Sequence, residues 1–345
     1  LRSLVGSEMC IRDRYYNDII LGTAGVQTSV VAYSELIVEK TIMTSEGTDI
    51  RQNSVDMSLQ ASSIARKGNN IQTSYEIEHS TNDFLKFYDI DKKIQDMADR
   101  SVSLLSAKPA KPGIFDVVID QKLTGTFAHE AFGHLSEADF VSDNKDLLKI
   151  MKKGRKFGNE NLNIIDDGTI KNMPGCSKFD DEGVPTQKTY LIKKGVLSGR
   201  LHSRETAARL GEKPTGNARA VSFFYEPVVR MTCTYVDKGE WSFDEMIRDI
   251  EDGYYIKSTK GGQTNLEMFT FAGEEAYKIE NGELTEHVRD LNISGNLFRT
   301  LHDIDAIGND VKLMPGGYCG KGEHYPLPVS NGGPHLRIRK VVIGS

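Results

Sequence analysis

Ile114-Phe115-Asp116-Val117-Val118-Ile119-Asp120 runs toward Gly125-Thr126-Phe127-Ala128-His129-Glu130-Ala131-Phe132-Gly133-His134, and this passage decides how the chain is read. The first segment is nearly continuous in apolar and β-branched residues, as a strand covered on both faces requires. The second opens a helix and concentrates the chemistry. Two imidazoles and a carboxylate fall within six residues, and neutral imidazole is the commonest protein ligand for zinc. A Glu beside the first His suits a hydrolytic metal site, where a bound ion acidifies water and the carboxylate takes its proton.

The familiar helical arrangement spaces its histidines i, i+4. Here His129 and His134 stand at i, i+5. At about 100° per residue, i+4 leaves two side chains about 40° apart, whereas i+5 leaves them about 140° apart. A regular helix therefore cannot aim both at one ion. A local π-type widening brings them together, and so does a helix that ends near Gly133. The spacing predicts one of these irregularities between Ala131 and His134.

A tetrahedral catalytic zinc takes three protein ligands and one open position. Glu137, Asp139, His202, Cys319, His324 and His335 are all candidates for the third, and spacing does not choose among them. His79, His287 and His302 read as surface or core residues, and Cys176 and Cys233 as small buried hydrophobes. Cys319 differs, because Gly316, Gly317, Gly320 and Gly322 surround it in what reads as a loop whose backbone can approach a ligand closely.

His129-Glu130-Ala131-Phe132-Gly133-His134, followed by Glu137-Ala138-Asp139, resembles the metal motif of the TldD/PmbA family of metallopeptidases. Further similar blocks follow in order: Asp166-Asp167-Gly168-Thr169, Asp180-Asp181-Glu182-Gly183, Pro214-Thr215-Gly216-Asn217-Ala218-Arg219, Val229 to Tyr235, Gly261-Gly262-Gln263, Gly308-Asn309-Asp310 and Cys319-Gly320-Lys321. The resemblance covers residues 112–345 well and 35–75 more weakly. It implies one Zn2+ per chain, held by His129, His134 and Cys319, with Glu130 as general base. The chain departs from the family pattern after Lys321, where Gly322-Glu323-His324 makes His324 a competing ligand or proton donor.

The resemblance also implies a substrate: short or unfolded peptides bound in extended form, with Gly261, Gly262, Gln263 and Asn217 as candidate cleft residues. It implies a dimer, either with a related PmbA/TldE-like subunit or with itself. Two other readings compete. One is a non-catalytic regulatory or binding subunit of such a complex; the other is an inactive fragment. The intact His129, Glu130, His134 and Cys319 favour the peptidase.

Composition agrees with that class. The balance of 43 basic against 49 acidic residues gives −6, without a basic block for nucleic acid. The uncharged stretch Ile19–Ser34 is too short and too polar to span a bilayer. Four scattered cysteines make neither a disulfide framework nor a zinc knuckle. No Gly-x-x-x-x-Gly-Lys-Ser/Thr run supports nucleotide binding. No secretory signal is visible, so the expected location is the cytoplasm.

Residues 1–14 read as a translated sequencing adapter, a non-native leader ahead of a chain whose natural start lies upstream. Ile11 is accordingly expected outside any core. Residues 15–108 are expected to be the remnant of an N-terminal and middle α+β domain. Strands are expected over 15–90, notably 34–44, 55–61 and 71–78. A helix is expected from an Asp91 cap, with a stripe of Ile94, Met97, Ala98, Val102 and Leu105.

Residues 109–113, with two prolines, read as a linker, and 114–345 as the metallopeptidase domain. Within it, strands are expected over 189–192, 228–236, 275–279 and 336–343. A short helix is expected over Arg204–Leu210. Another is expected from the Ser242/Glu245 capping box to Gly253. The fold class is α+β: a strand-rich middle region and a mixed, strand-rich C-terminal catalytic domain.

Overall fold

The structure, a computed structural model, describes residues 2–265 and 267–344, with side chains from residue 10 onward. Most of the expected leader's side chains therefore lie outside the described residues. The chain forms two compact units, residues 1–41 with 51–108, and residues 42–50 with 109–345. The architecture is α+β, and no described helix is long and apolar enough to cross a membrane.

In the first unit, α1 (Arg2–Gly22) precedes β1 (Val26–Met43), β2 (Asp49–Lys67) and β3 (Asn70–Ser80), which form a three-stranded sheet in that order. The expected strands 34–44, 55–61 and 71–78 fall on these elements, except that β1 stops at Met43. The strand expectation for residues 15–22 is wrong. Tyr16 and Ile20, one helical turn apart, are both fully buried, so the helical period prevails over a short apolar run that fits either structure. Ile11 on the same helix is exposed, while the Arg12 guanidinium lies over the Tyr88 ring.

The helix α2 (Asp91–Ser103) buries Ile94, Met97 and Ala98 against Met57, Leu59 and Ala61 of β2. Two details differ from expectation. Ile90 occupies the N-cap position without a side-chain cap, and Asp91 contributes charge within the first turn. The stripe continues through Ser101 and Leu104 instead of Val102 and Leu105.

The second unit is built on two large sheets and one two-stranded sheet, with its largest apolar cluster including Val117, Phe127, Phe271 and Leu336. β4 (Gly113–Ile119) is the expected buried strand, with Val117, Val118 and Ile119 all fully covered. It leads through Asp120, whose carboxylate accepts from the Leu123 N–H, into α3 (Gln121–Phe127). Later come β5 (Ile164–Asp167), β6 (Lys188–Lys193), β7 (Val196–Leu197) and α4 (Arg204–Leu210). The helix α4 ends at Gly211 in the left-handed region, as expected.

The expected strand 228–236 is two strands. β8 (Ala218–Arg219) pairs with β9 (Val228–Val229), and β10 (Cys233–Val236) belongs to another sheet. Residues 230–232 between them lie outside both strands, and the Arg230 side chain is fully buried beside Glu137. The Ser242/Glu245 capping box is present, yet its helix α5 (Phe243–Ile247) stops well before Gly253. Gly253 instead sits in a strand so close to the Asp116 carbonyl that a Cβ would meet it at 2.4 Å.

That strand is β11 (Asp252–Asn265), followed by β12 (Met268–Glu280), β13 (Glu283–Arg289) and β14 (Asn292–Asn296). The last three strands are β15 (Lys312–Lys321), β16 (His324–Gly333) and β17 (Leu336–Gly344). One sheet runs β15-β16-β10-β5-β6-β7. The other runs β11-β4-β17-β14-β12, and β12 pairs back onto β11, so these strands close on themselves.

The helix α3 lies between the two sheets. Phe127 packs edge-on against Phe269 and Phe271 of β12. On its other side, a Cβ at Gly125 would meet the Gly332 nitrogen of β16 at 2.5 Å, so only glycine permits this approach.

Candidate metal centre

The helix α3 does not continue regularly into the histidine segment. Ala128–Gly133 form a π turn, and the His134 N–H bonds the His129 carbonyl, an i to i−5 bond. This is the first of the two irregularities that the i, i+5 spacing allows. It sets the two imidazoles edge to face, with ring centroids 5.0 Å apart. Gly133 allows the wider turn to pack, because a Cβ there would strike the Met231 sulfur at 2.1 Å.

Cys319 reaches the histidines from β15. The glycine-rich passage around it is a strand with two register irregularities, not the expected loop. The glycines let the strand bulge, with Gly317 in the left-handed region. Sγ of Cys319 lies 3.2 Å from Nε2 of His129 and 3.4 Å from Nε2 of His134. Among the described residues this trio is the one His/Cys/Asp/Glu cluster whose ligand atoms lie close enough for a metal, all within 4.8 Å of one another. Two imidazole nitrogens and a thiol fit a borderline-soft divalent ion such as zinc.

The site is strongly polarised. Burial pushes the Cys319 thiol up, but its hydrogen bonds with His129 and His134 outweigh this and bring it to about 5. Burial acts on His134 in the lowering direction, and its bonds to Cys319 and Glu137 raise it to about 10. Glu130 is adjacent and partly open to solvent, with Oε2 4.0 Å from Nε2 of His134.

Behind His134 stands a buried ionic network. Oε2 of Glu137 accepts from Nδ1 of His134 at 3.3 Å and from Nζ of Lys321 at 3.0 Å. Lys321 also binds Asp139 at 2.6 Å and the Val229 carbonyl at 3.2 Å. Arg230, completely buried, brings Nε to 3.5 Å from the other oxygen of Glu137. Burial pushes the Glu137 carboxyl up, yet His134, Lys321 and Arg230 bring it down to about 2.

The remaining candidates lie elsewhere. His324 is outside the trio; its ring stands against Tyr225 and its carbonyl accepts from Arg230. His202 bonds Thr206 and Glu212. His335 bridges Asp310, at 2.6 Å, and the Tyr255 hydroxyl, at 2.9 Å. Asn217 is buried, donating to Asp166 and to the Arg230 carbonyl while accepting from Thr215, so its side chain faces inward. Gly261, Gly262 and Gln263 are exposed on β11, beside a bulge between Thr259 and Gly261. Sequence reasoning missed the roles of Lys321 and Arg230. Both stand in blocks that resemble the family, Val229 to Tyr235 and Cys319-Gly320-Lys321, but nothing in either block pointed to an ion pair with Glu137.

The description "PmbA/TldA metallopeptidase C-terminal domain" matches residues 112–345, and the central domain of the same family matches residues 12–105. A metalloprotease of Synechocystis is 45% identical over 331 residues, covering 96% of this chain and 72% of the relative. The zinc metalloprotease TldD homolog of Saccharolobus solfataricus is 34% identical, covering 92% of this chain and 72% of its own length. Among solved structures, TldE from Thermococcus kodakarensis shares the fold with a TM-score of 0.69 at 18% identity, covering 97% of this chain and 72% of the neighbour.

Proposed function

The chain belongs to the PmbA/TldA metallopeptidase family, and from that membership we propose that it is a zinc-dependent peptidase acting on short or unfolded peptides in extended form. The observation that carries this reading is the convergence of His129, His134 and Cys319 on one point. A zinc ion held there supplies Lewis acidity toward a peptide carbonyl and a water molecule.

The protein's own groups supply the rest. Glu130, next to His129 and open to solvent, takes the proton of the attacking water and passes it to the departing amine. Cys319 sits on β15, the edge strand of its sheet, and an edge strand offers unpaired N–H and C=O groups to an extended peptide. Residues 257–265 of β11 also pair on one side only, which supports Gly261, Gly262 and Gln263 as a wall of the same cleft. Binding through backbone groups selects extended conformation over side-chain identity. Asn217 contributes by bracing the Arg230 carbonyl instead of touching substrate.

In this reading the protein works in the cytoplasm, as a dimer with a related PmbA/TldE-like subunit or with itself. The test is metal analysis of purified protein together with cleavage of an unfolded peptide, before and after chelation. Stoichiometric zinc and cleavage abolished by chelator and restored by zinc are expected. Cleavage that survives complete metal removal would overturn the reading.

A further inference from the structure

The network behind His134 does more than fill space. Glu137 binds Nδ1 of His134, the ring nitrogen opposite the Nε2 that faces Cys319, so the carboxylate lies on the far side of the imidazole from the sulfur. It is nearly fully buried, and a carboxylate reaches such a place only when cations accompany it. Lys321 does so from the strand that carries Cys319, and Arg230 does so from the segment after β9. Nδ1 of His129, by contrast, is buried with no hydrogen-bond partner among the described residues. Only one of the two histidines is held from behind.

Resting on the metal reading above, we propose that Glu137 is the positioning residue of the site. It fixes the Nδ1–H tautomer of His134 and, through Lys321, ties the Cys319 strand to the histidine helix. Carboxylates that back metal-binding histidines in this way orient the ring and raise its basicity. The tie to Lys321 adds a mechanical role. The histidine segment and Cys319 belong to distant parts of the chain, and the two Lys321 bonds, to Glu137 and Asp139, join them directly. The arrangement gives His134 a rigid, pre-set lone pair and leaves His129 the adjustable ligand.

The experiment measures zinc affinity of the full chain by competition with a chromophoric chelator, alongside the 15N shifts of the His134 ring. Glu137→Gln is expected to weaken zinc by about 10- to 100-fold and to mix the His134 tautomers. Lys321→Met, at a position about a quarter exposed, is expected to weaken zinc as well, with the double variant less than additive, each variant's fold being checked by its melting transition. A merely structural Glu137 would lower the melting temperature and leave the tautomer unchanged. Wild-type affinity in both single variants, with an unaltered His134 tautomer, would overturn the positioning role while leaving the peptidase reading intact. Failure of the wild-type chain to bind zinc would overturn both.

Discussion

Sγ of Cys319 lies 3.2 Å from Nε2 of His129 although 190 residues separate them in the chain. Two separate devices produce this contact. The π turn places the histidines together locally, and the long excursion through both sheets returns β15 to the same point. A donor set assembled this way is rigid only as far as the surrounding sheets are.

Cys319→Ser should therefore cost more zinc affinity than loss of an outer partner, exceeding about 100-fold, since a hydroxyl is a poor substitute for a thiolate. His324→Ala should leave affinity close to wild type, because His324 stands outside the trio. Isothermal titration with zinc checks both. The reverse ranking would make His324 the third ligand and remove Cys319 from the site.

Glu130→Gln should retain zinc and lose turnover by about 10²- to 10⁴-fold, since an amide cannot accept the water's proton. Peptide cleavage must be measured on samples whose metal content is matched. Near-normal turnover with zinc bound would assign the proton transfer to another group.

The site's local half was legible in the sequence, and its distant half was not. The i, i+5 spacing ruled out a regular helix between Ala131 and His134 and left two irregularities open, a π-type widening or a helix end near Gly133, of which the chain takes the first. Cys319 was one candidate among six, set apart by its surrounding glycines and chosen only through family resemblance, since spacing carries no information across 185 residues. The strand status of its glycine-rich surroundings was misread. Glycines there serve a bulged hairpin, and pairing with β16 decides the conformation over local propensity. Helix ends followed the same logic. Gly211 ends α4 because nothing tertiary opposes it, whereas Gly253 was claimed by a close strand contact with Asp116. The α1 error was one of period: Tyr16 and Ile20 fit a helix, and a short apolar run fits a strand equally well.

Gly125→Ala tests whether close approach of α3 to β16 positions the site. Alanine gains about 1 kcal/mol of helix propensity over glycine. Overpacking costs about 1–3 kcal/mol, and here the obstacle is the Gly332 backbone, which cannot rotate away. The loss should prevail, giving a lower melting temperature and weaker zinc binding as the helix carrying His129 is pushed aside. A variant more stable than wild type, with unchanged affinity, would show that the gap is not needed.

His202 gives a pH test remote from the metal. It is almost fully buried, with Nδ1 against Thr206 and Nε2 3.2 Å from Glu212. Burial lowers it below its ordinary 6.5, and Glu212 only partly opposes this. Below pH 6.5 the unfolded chain then binds a proton that the folded chain refuses, so stability falls as pH falls. Glu212, held below its usual 4.5 despite burial by Lys153, Arg200 and His202, adds a further loss only in more acid solution. Asp180 acts in the opposite sense. Burial pushes it up to about 6, so its contribution declines as pH rises from 3.8 toward that value. Comparing wild type with His202→Gln cancels the Asp180 effect and isolates the histidine. Urea unfolding at pH 7.5, 6.5 and 5.5 should show wild type losing more stability on acidification than the variant. Parallel curves for the two proteins would mean that His202 takes up its proton in the folded state as readily as in the unfolded one.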